Sequence, residues 1–423
     1  MTIEQVHIDQ IIKLFSELKS KQDLVKLLSD AKNMLYGEEC EPIQLKHLTY
    51  YANPKLSQIR YRTFSVNKKS GGERIINAPV KGLKAILCPL NFVFQCLYNP
   101  HISATGFVVG KSIVDNGKKH IGQNYVLNID LKDFFHSFDL DRVKVGLLHE
   151  LWGIDNIGKY KKKFEDDFNE KEKIAFLLAC LCTHPFEIDG KIKTVLPQGS
   201  PTSPTLTNIL CKPLDRKLQG LANRFGATYT RYADDITFSS PHNIYKREEN
   251  PILNEKGAYD DFMSELERII KKEKLTINHK KTRLQKRAYR QEVTGLKVNE
   301  KVNVQRRYIE QIRMWLYYWG KDGYEKAQQN FIQYYIVDKG HIKNKNAHLI
   351  NVLDGKLEYL KMVKGDKDST YKKLKDRFDE LSNPISLILD IWENEGIEKA
   401  MTMYYENPDF DNNCKVQQKV IIK

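Results

Sequence analysis

The chain has 423 residues, 41% of them apolar and 10% aromatic, which suffices for two or three domains and excludes a wholly disordered protein. Sixty-eight Lys and Arg against 54 Asp and Glu leave a net charge of +14, a balance that favours acidic partners such as nucleic acid or an anionic membrane. The N-terminus lacks a cationic start followed by a long apolar run, and no segment approaches the ~20 apolar residues that span a bilayer, so no secretory signal and no membrane partner are expected.

Residues 1–57 read as a helical extension, with Ile11, Ile12, Phe15 and Leu18 on one helical face and Val25, Leu27 and Leu28 suggesting a second helix. In YRTFSVNKKSGGERIINAP, Phe64 and Val66 alternate before KKSGG and Ile75 and Ile76 follow it, the pattern of a β-hairpin with Gly71–Gly72 in its connection. Residues 81–99 are expected to be helical, with Leu83, Ile86, Leu87, Leu90, Phe94 and Leu97 buried. YVLNID, residues 125–130, is strand-like and ends on an acid, and a helix is expected over 139–150. The mixed-sign run 159–173 reads as a solvated surface segment. Beyond it come an apolar helix over 174–182 and a hairpin turning at Asp189–Gly190.

The Pro- and Gly-rich LPQGSP is followed by helical spacing through Leu206, Ile209, Leu210, Leu214, Leu218 and Leu221. ATYTRYADDITFSS reads as two short strands around a tight turn, and 258–273 as a helix. Residues 302–380 are largely helical in pattern, and the tail from about Pro384 carries one helix and an acidic, Asn-rich stretch. Helices alternating with hairpins give an α+β or mixed α/β class. Seven cysteines without zinc-finger spacing, Cys180 and Cys182 among them, read as buried thiols, which implies a reducing, cytoplasmic setting.

Successive side chains on an extended strand point to opposite faces, so Asp234 and Asp235 reach one site only if a turn rotates the backbone between them. The YADD segment lies where a hairpin tip would supply that turn, and Asp130 ends a separate apolar strand. Three carboxylates brought together repel one another unless cations neutralise them. Mg²⁺, a hard ion that takes one or two carboxylates plus substrate phosphates, suits such a site.

NIDLKDFF (128–135), LPQGSPTSP (196–204), YADD (232–235) and LTINHKKT (275–282) together resemble the bacterial reverse transcriptases, over about residues 58–300. The resemblance implies an α+β right-hand polymerase fold. Its fingers would cover 58–125 and 140–190, its palm, an antiparallel sheet with helices, 126–139 and 191–300, and its mainly helical thumb 301–382. An N-terminal extension (1–57) and a C-terminal extension (383–423) would flank these. Asp130 and Asp234 would hold two Mg²⁺ ions, for which Mn²⁺ can substitute, and Asp235 would assist.

The same resemblance assigns further residues. One of Phe134 and Phe135 would be core and the other, expected to be Phe135, the gate against a 2′-hydroxyl. Gln198 would position nucleotide and template. Lys69 and Arg74 would meet the incoming triphosphate. Lys281 would protonate departing pyrophosphate or simply contact phosphate.

Residues 271–290 carry nine Lys or Arg against one acid, and Arg306, Arg307 and Arg313 extend the charge as candidate RNA contacts. The interleaved Tyr308, Trp315, Tyr317, Tyr318 and Trp319 pack a core or stack on bases. SATGFVVGKSIVDNGKKH (103–120) and VTG (293–295) are similar to two marks of retron reverse transcriptases, with Gly117 where Ala is usual. That likeness implies copying of a cognate structured non-coding RNA into cDNA from dNTPs, an RNA/DNA heteroduplex product, a role in antiphage defence and an effector protein as a further partner. The chain also looks like the single-protein defence-associated reverse transcriptases. Two alternatives stand beside these readings: a template-independent or protein- or self-primed nucleotidyltransferase, and a non-catalytic RNA-binding scaffold.

Overall fold

The computed structural model describes residues 4–37, 40–57, 59–67, 72–188, 190–244, 258–336, 347–382, 392 and 396–406. Helices α1 (Gln5–Ser16), α2 (Lys21–Tyr36) and α3 (Leu45–Ala52) form the N-terminal segment. Ser20 starts α2 with a capping box, its hydroxyl accepting from the Asp23 amide while the Asp23 carboxylate accepts from the Ser20 amide. Ile11, Phe15, Leu18, Leu27 and Leu28 are buried as the periodicity predicts, but Ile12 is 46% exposed, because only one stripe of a helix can face the core. These residues join the core of the following elements, so the extension is not a separate body.

Strands β1 (Tyr61–Asn67) and β2 (Glu73–Pro79) pair as a two-stranded sheet, and α4 (Lys81–Leu97) buries Leu83, Ile86, Leu87, Leu90 and Phe94 as expected. A short helix, α5 (Ile113–Lys118), precedes β3 (Tyr125–Asp130) and α6 (Leu140–Trp152), the latter capped by the Asp139 side chain. The run 159–173 is solvent-facing as expected except at Phe168, but it is helical rather than irregular. It forms α7 (Ile157–Lys163) and the first half of α8 (Glu165–Cys182), and Phe168 is 1% exposed. Glu165, Asp166 and Asp167 occupy the first turn of α8, where acids offset the positive end of the helix dipole. At its other end the buried Arg60 guanidinium donates to the carbonyls of Cys180, Leu181 and Thr183 and satisfies the helix terminus.

Strands β4 (His184–Ile188) and β5 (Lys191–Val195) form the expected hairpin, whose Asp189 lies outside the described residues. The long helical run after LPQGSP divides into α9 (Ser203–Leu210) and α10 (Lys212–Arg224), since Pro213 cannot continue a helix but suits the first turn of a new one. Strands β6 (Thr228–Tyr232) and β7 (Asp235–Ser240), helix α11 (Ala258–Lys272) and strand β8 (Arg283–Lys286) follow.

The main sheet is antiparallel in the order β6–β7–β3–β8. One face is apolar: Tyr229, Ile236 and Phe238 pack toward α10 and α11, with the Phe238 and Phe262 rings edge to face at 5.3 Å. The other face carries Asn128, Asp130, Thr230, Thr237 and Ser239. The six described cysteines are all free; Cys96, Cys182 and Cys211 are buried, whereas Cys180 is only half-buried.

The chain divides into two compact units, the first ending near residue 300 and the second holding Lys301–Lys423 with Asn67–Gly71 and Gly295–Lys297. The second unit is helical: α12 (Arg306–Asp322), α13 (Tyr324–Asn330), a π-helical turn at Phe331–Ile336, α14 (Leu349–Lys364), α15 (Ser369–Ser382) and α16 (Ile397–Glu406). Trp315 and Trp319 anchor its core, with Phe331 and Phe378 edge to face on them. No helix among the described residues is long and apolar enough to cross a membrane.

Candidate active site

Pairing register brings the acids together. Asp130 of β3 lies opposite Asp235 of β7, and Asp235 lies opposite Tyr232 of β6. Directly opposed residues share a face, so Asp130, Asp235 and Tyr232 project to the polar side of the sheet. Asp234 sits in the two-residue connection, and the Leu131 amide donates to its carbonyl at 3.1 Å. Ala233, the other residue of that connection, has φ 58°, a left-handed conformation that favours glycine and strains any residue with a Cβ.

What holds the strained turn is a buried network that sequence reasoning missed. Arg231 and Asp215 are both fully buried, and the guanidinium grips the carboxylate through Nε and Nη2, each at 2.7 Å. Arg231 Nη1 also donates to the Ala233 carbonyl at 3.2 Å and to Asn208 Oδ1 at 3.1 Å. The Tyr229 hydroxyl donates to Asp215, and Asn208 Nδ2 donates to the Gly106 carbonyl at 2.7 Å. Gly106 lies against the turn so closely that a Cβ there would stand 2.7 Å from the Ala233 nitrogen. The available signal was an arginine directly before YADD in an apolar strand and an aspartate, Asp215, on the buried face of a helix.

The carboxylates differ in surroundings. Asp130 accepts from Lys281 Nζ and from Asn278 Nδ2, each at 2.9 Å, and its carbonyl accepts the Asn278 amide. Burial raises the Asp234 carboxyl above the usual carboxylate range, and the charge on Asp130 adds to the shift. Asp235, though reachable by solvent, is crowded by protein atoms, and this desolvation with the charges of Asp234 and Asp130 pushes it up to about 6.

Among the described residues no three His, Cys, Asp or Glu side chains close into a ready metal cage, and both Asp130 oxygens are engaged by Asn278 and Lys281. The donor set still fits a hard divalent cation. It is all oxygen, its charges repel one another, and Mg²⁺ ordinarily completes its shell with water and substrate phosphate rather than a full protein cage.

The other expected residues fall as follows. Phe134 is 3% exposed and Phe135 half-buried, the two rings edge to face at 5.6 Å, so the core member of the pair is Phe134. Gln198 is half-buried, and its carbonyl accepts the Asn77 amide of β2 at 2.7 Å. The next residue, Gly199, has φ 121°, and a Cβ there would stand 2.8 Å from the Asn77 carbonyl oxygen, so this turn abuts β2. Arg74 is exposed on β2, and its charge acts on Asp234. Lys69 lies outside the described residues.

In the second unit Arg306, Arg307 and Arg313 are exposed on α12, with Arg306 paired to Glu310 at 2.7 Å. Arg313 lines an open cleft of about 390 Å³ with Lys321, Lys373 and Arg377. Of the interleaved aromatics, Trp315 and Trp319 are core, whereas Tyr317 and Tyr318 stay exposed.

The two candidate retron marks meet. Asn116 accepts from the Thr105 hydroxyl at 2.9 Å and reaches Thr294 of VTG at 3.5 Å. His120, fully buried, bridges Thr230 and Ser239 on the polar face of the sheet, and burial pushes its pKa down to about 3, so it is neutral.

A sequence profile described as reverse transcriptase (RNA-dependent DNA polymerase) matches residues 162–304, a span that includes YADD and begins after Asp130. The chain is 33% identical to the retron Ec86 reverse transcriptase of Escherichia coli over 264 residues, 61% of this chain and 69% of that one. It is 32% identical to the retron Mx65 reverse transcriptase of Myxococcus xanthus over 330 residues (75% and 65%) and 36% identical to the retron Mx162 enzyme of the same species over 250 residues (56% and 47%). The matches thus span less than two thirds of the two Myxococcus relatives. A mixed helix and antiparallel-sheet architecture with these acids at one strand end is the right-hand polymerase fold. The chain belongs to the retron-type reverse transcriptases.

Proposed function

We propose that this chain is an RNA-directed DNA polymerase that copies a cognate structured non-coding RNA into cDNA from dNTPs. The observation that carries the proposal is the register Asp130–Asp235 with Asp234 in the adjoining turn, held by Arg231. Asp130, Asp234 and Asp235 would hold two divalent cations, Mg²⁺ or Mn²⁺, which when bound lower the pKa of an attacking hydroxyl and offset charge on the leaving pyrophosphate. Lys281, which pairs with Asp130, would contact phosphate or hand a proton to the departing group. Arg74 and Lys69 would receive the triphosphate, Arg74 through a planar two-pronged fork. Phe135 would close the space beneath the sugar against a 2′-hydroxyl, and Gln198 would align nucleotide and template.

In this reading the fingers comprise 58–125 and 140–190, the palm 126–139 and 191–300, and the thumb 301–382. Arg306, Arg307 and Arg313 on the thumb would bind RNA phosphates, and the heteroduplex would leave over the basic run 271–290. An antiphage role, with an effector protein as partner, follows from the likeness to retron enzymes. The deciding experiment is DNA synthesis on the RNA that copurifies with the protein, with and without Asp234→Asn. The substitution should abolish synthesis while RNA binding persists. Synthesis at the normal rate would refute the assignment.

A further inference from the structure

Five non-glycine residues among those described have positive φ, and three of them, Phe107, Asp133 and Ala233, border the acids. Asp133 and Ala233 belong to the segments that carry the carboxylates. Phe107 does not. It is a bulky residue with φ 58°, a conformation rare for such side chains, and it is 44% exposed although phenylalanine is usually buried. Strain of this kind persists only where surrounding structure enforces it, and it concentrates at functional sites.

The enforcing contacts are visible. The Thr105 amide donates to the Arg231 carbonyl at 2.9 Å, and the Arg231 amide to the Ser103 carbonyl at 2.8 Å, so this segment lies along β6 as an extra edge. Gly106 then presses on Ala233, and the Lys111 ammonium donates to the Ala104 carbonyl and folds the loop back. The result places the Phe107 ring 6.1 Å from that of Tyr232, which shares its sheet face with Asp130 and Asp235. An exposed aromatic is thereby held, against its backbone preference, beside the carboxylate end of the polar face.

We propose that Phe107 is a stacking platform for the terminal nucleobase of the strand whose hydroxyl reacts. This deepens the polymerase reading and rests on it. A nucleobase fits the observations because it offers a flat π-face to an exposed ring, and base–aromatic stacking needs no hydrogen-bond readout. The strand end must also lie within reach of Asp234 and Asp235, two and three residues from Tyr232. A water-exposed phenylalanine with no ligand would gain nothing from the strained loop.

The test uses the full-length protein and an RNA template annealed to a labelled DNA primer that ends either in a normal nucleotide or in an abasic one. Dissociation constants are read by fluorescence anisotropy, alongside single-nucleotide extension and thermal unfolding. Phe107→Gly should bind the normal primer on the order of 10-fold more weakly, the loss expected for one stacked base. It should unfold at the same or a higher temperature, because glycine removes the backbone strain. Wild type should lose a similar factor with the abasic primer, the Gly variant should lose little more, and Phe107→Trp should retain normal binding. Unchanged affinity in the Gly variant, or an equal abasic loss in both proteins, would overturn the proposal. Failure of wild type to extend the normal primer would instead count against the polymerase reading, and the binding arms would still decide the role of Phe107.

Discussion

Replacing Arg231 by Met is the most informative single perturbation of the first unit. The guanidinium has four contacts to lose, two to Asp215 at 2.7 Å and one each to Asn208 and the Ala233 carbonyl, and both charged partners are fully buried. Met fills similar volume, so the cost is dominated by the Asp215 carboxylate left without its counter-charge and holding, among the described residues, only the Tyr229 hydroxyl. Breaking one side of a buried pair costs about 3–5 kcal/mol, a large part of the ~5–15 kcal/mol that keeps a domain folded. A loss near 4 kcal/mol lowers the folded-to-unfolded ratio by about three orders of magnitude. Urea denaturation followed by circular dichroism measures it.

The double variant Arg231→Met/Asp215→Leu removes the stranded charge and should be no less stable than Arg231→Met alone, although the Tyr229 hydroxyl then goes unpaired. DNA synthesis by the double variant should nevertheless stay about tenfold below wild type, because the bond from a charged donor to the Ala233 carbonyl is gone. A single-variant loss below about 1 kcal/mol, additive losses in the double variant, or full activity in it would refute the clamp.

The raised carboxyls give a pH signature. Between the ordinary carboxylate value and about 6, folded Asp235 binds more protons than the unfolded chain, so its contribution to stability falls as pH rises through that window. Asp235→Asn should therefore match wild type in Tm near pH 4 and exceed it by pH 7, while losing synthesis. A Tm difference independent of pH would contradict this, and added Mg²⁺ should raise Tm more in wild type than in the variant. Phe135→Ala should relax discrimination against ribonucleotides, read as the ratio of kcat/KM values for dNTP and NTP; an unchanged ratio would remove Phe135 as gate. Arg306→Ala with Arg307→Ala should weaken RNA binding and reduce the slope of log K against log salt by about 2, and an unchanged slope would move the RNA track elsewhere.

Much of the fold was legible because local patterns coincide with what the core demands. The periodicity of Leu83 through Phe94, the strand YVLNID and the hairpin around YADD all reappear with nearly the expected bounds. The errors share a physical origin. Mixed charge over 159–173 concealed the first half of α8, because a helix can carry acids at its N-terminus and still bury Phe168. The interruption at Pro213 was hidden by leucine spacing that runs through both α9 and α10. Trp315 and Trp319 separated from Tyr317 and Tyr318 only when α12 acquired neighbours to define its inner face.

From the sequence, alternation and turn chemistry showed acids ending an apolar strand and a carboxylate pair at a hairpin tip, and the class of chemistry came from the resemblance of NIDLKDFF, LPQGSPTSP, YADD and LTINHKKT to reverse transcriptases. Strand register decided that Asp130 faces Asp235, and no local pattern specifies which residues of two strands 105 positions apart become partners. The tertiary structure alone likewise joined Arg231 to Asp215, Asn278 and Lys281 to Asp130, and Phe107 to the edge of the carboxylate face. Each of these depends on long-range packing, which places chemically ordinary residues beside one another and so gives them roles that their own neighbourhoods in the chain do not encode.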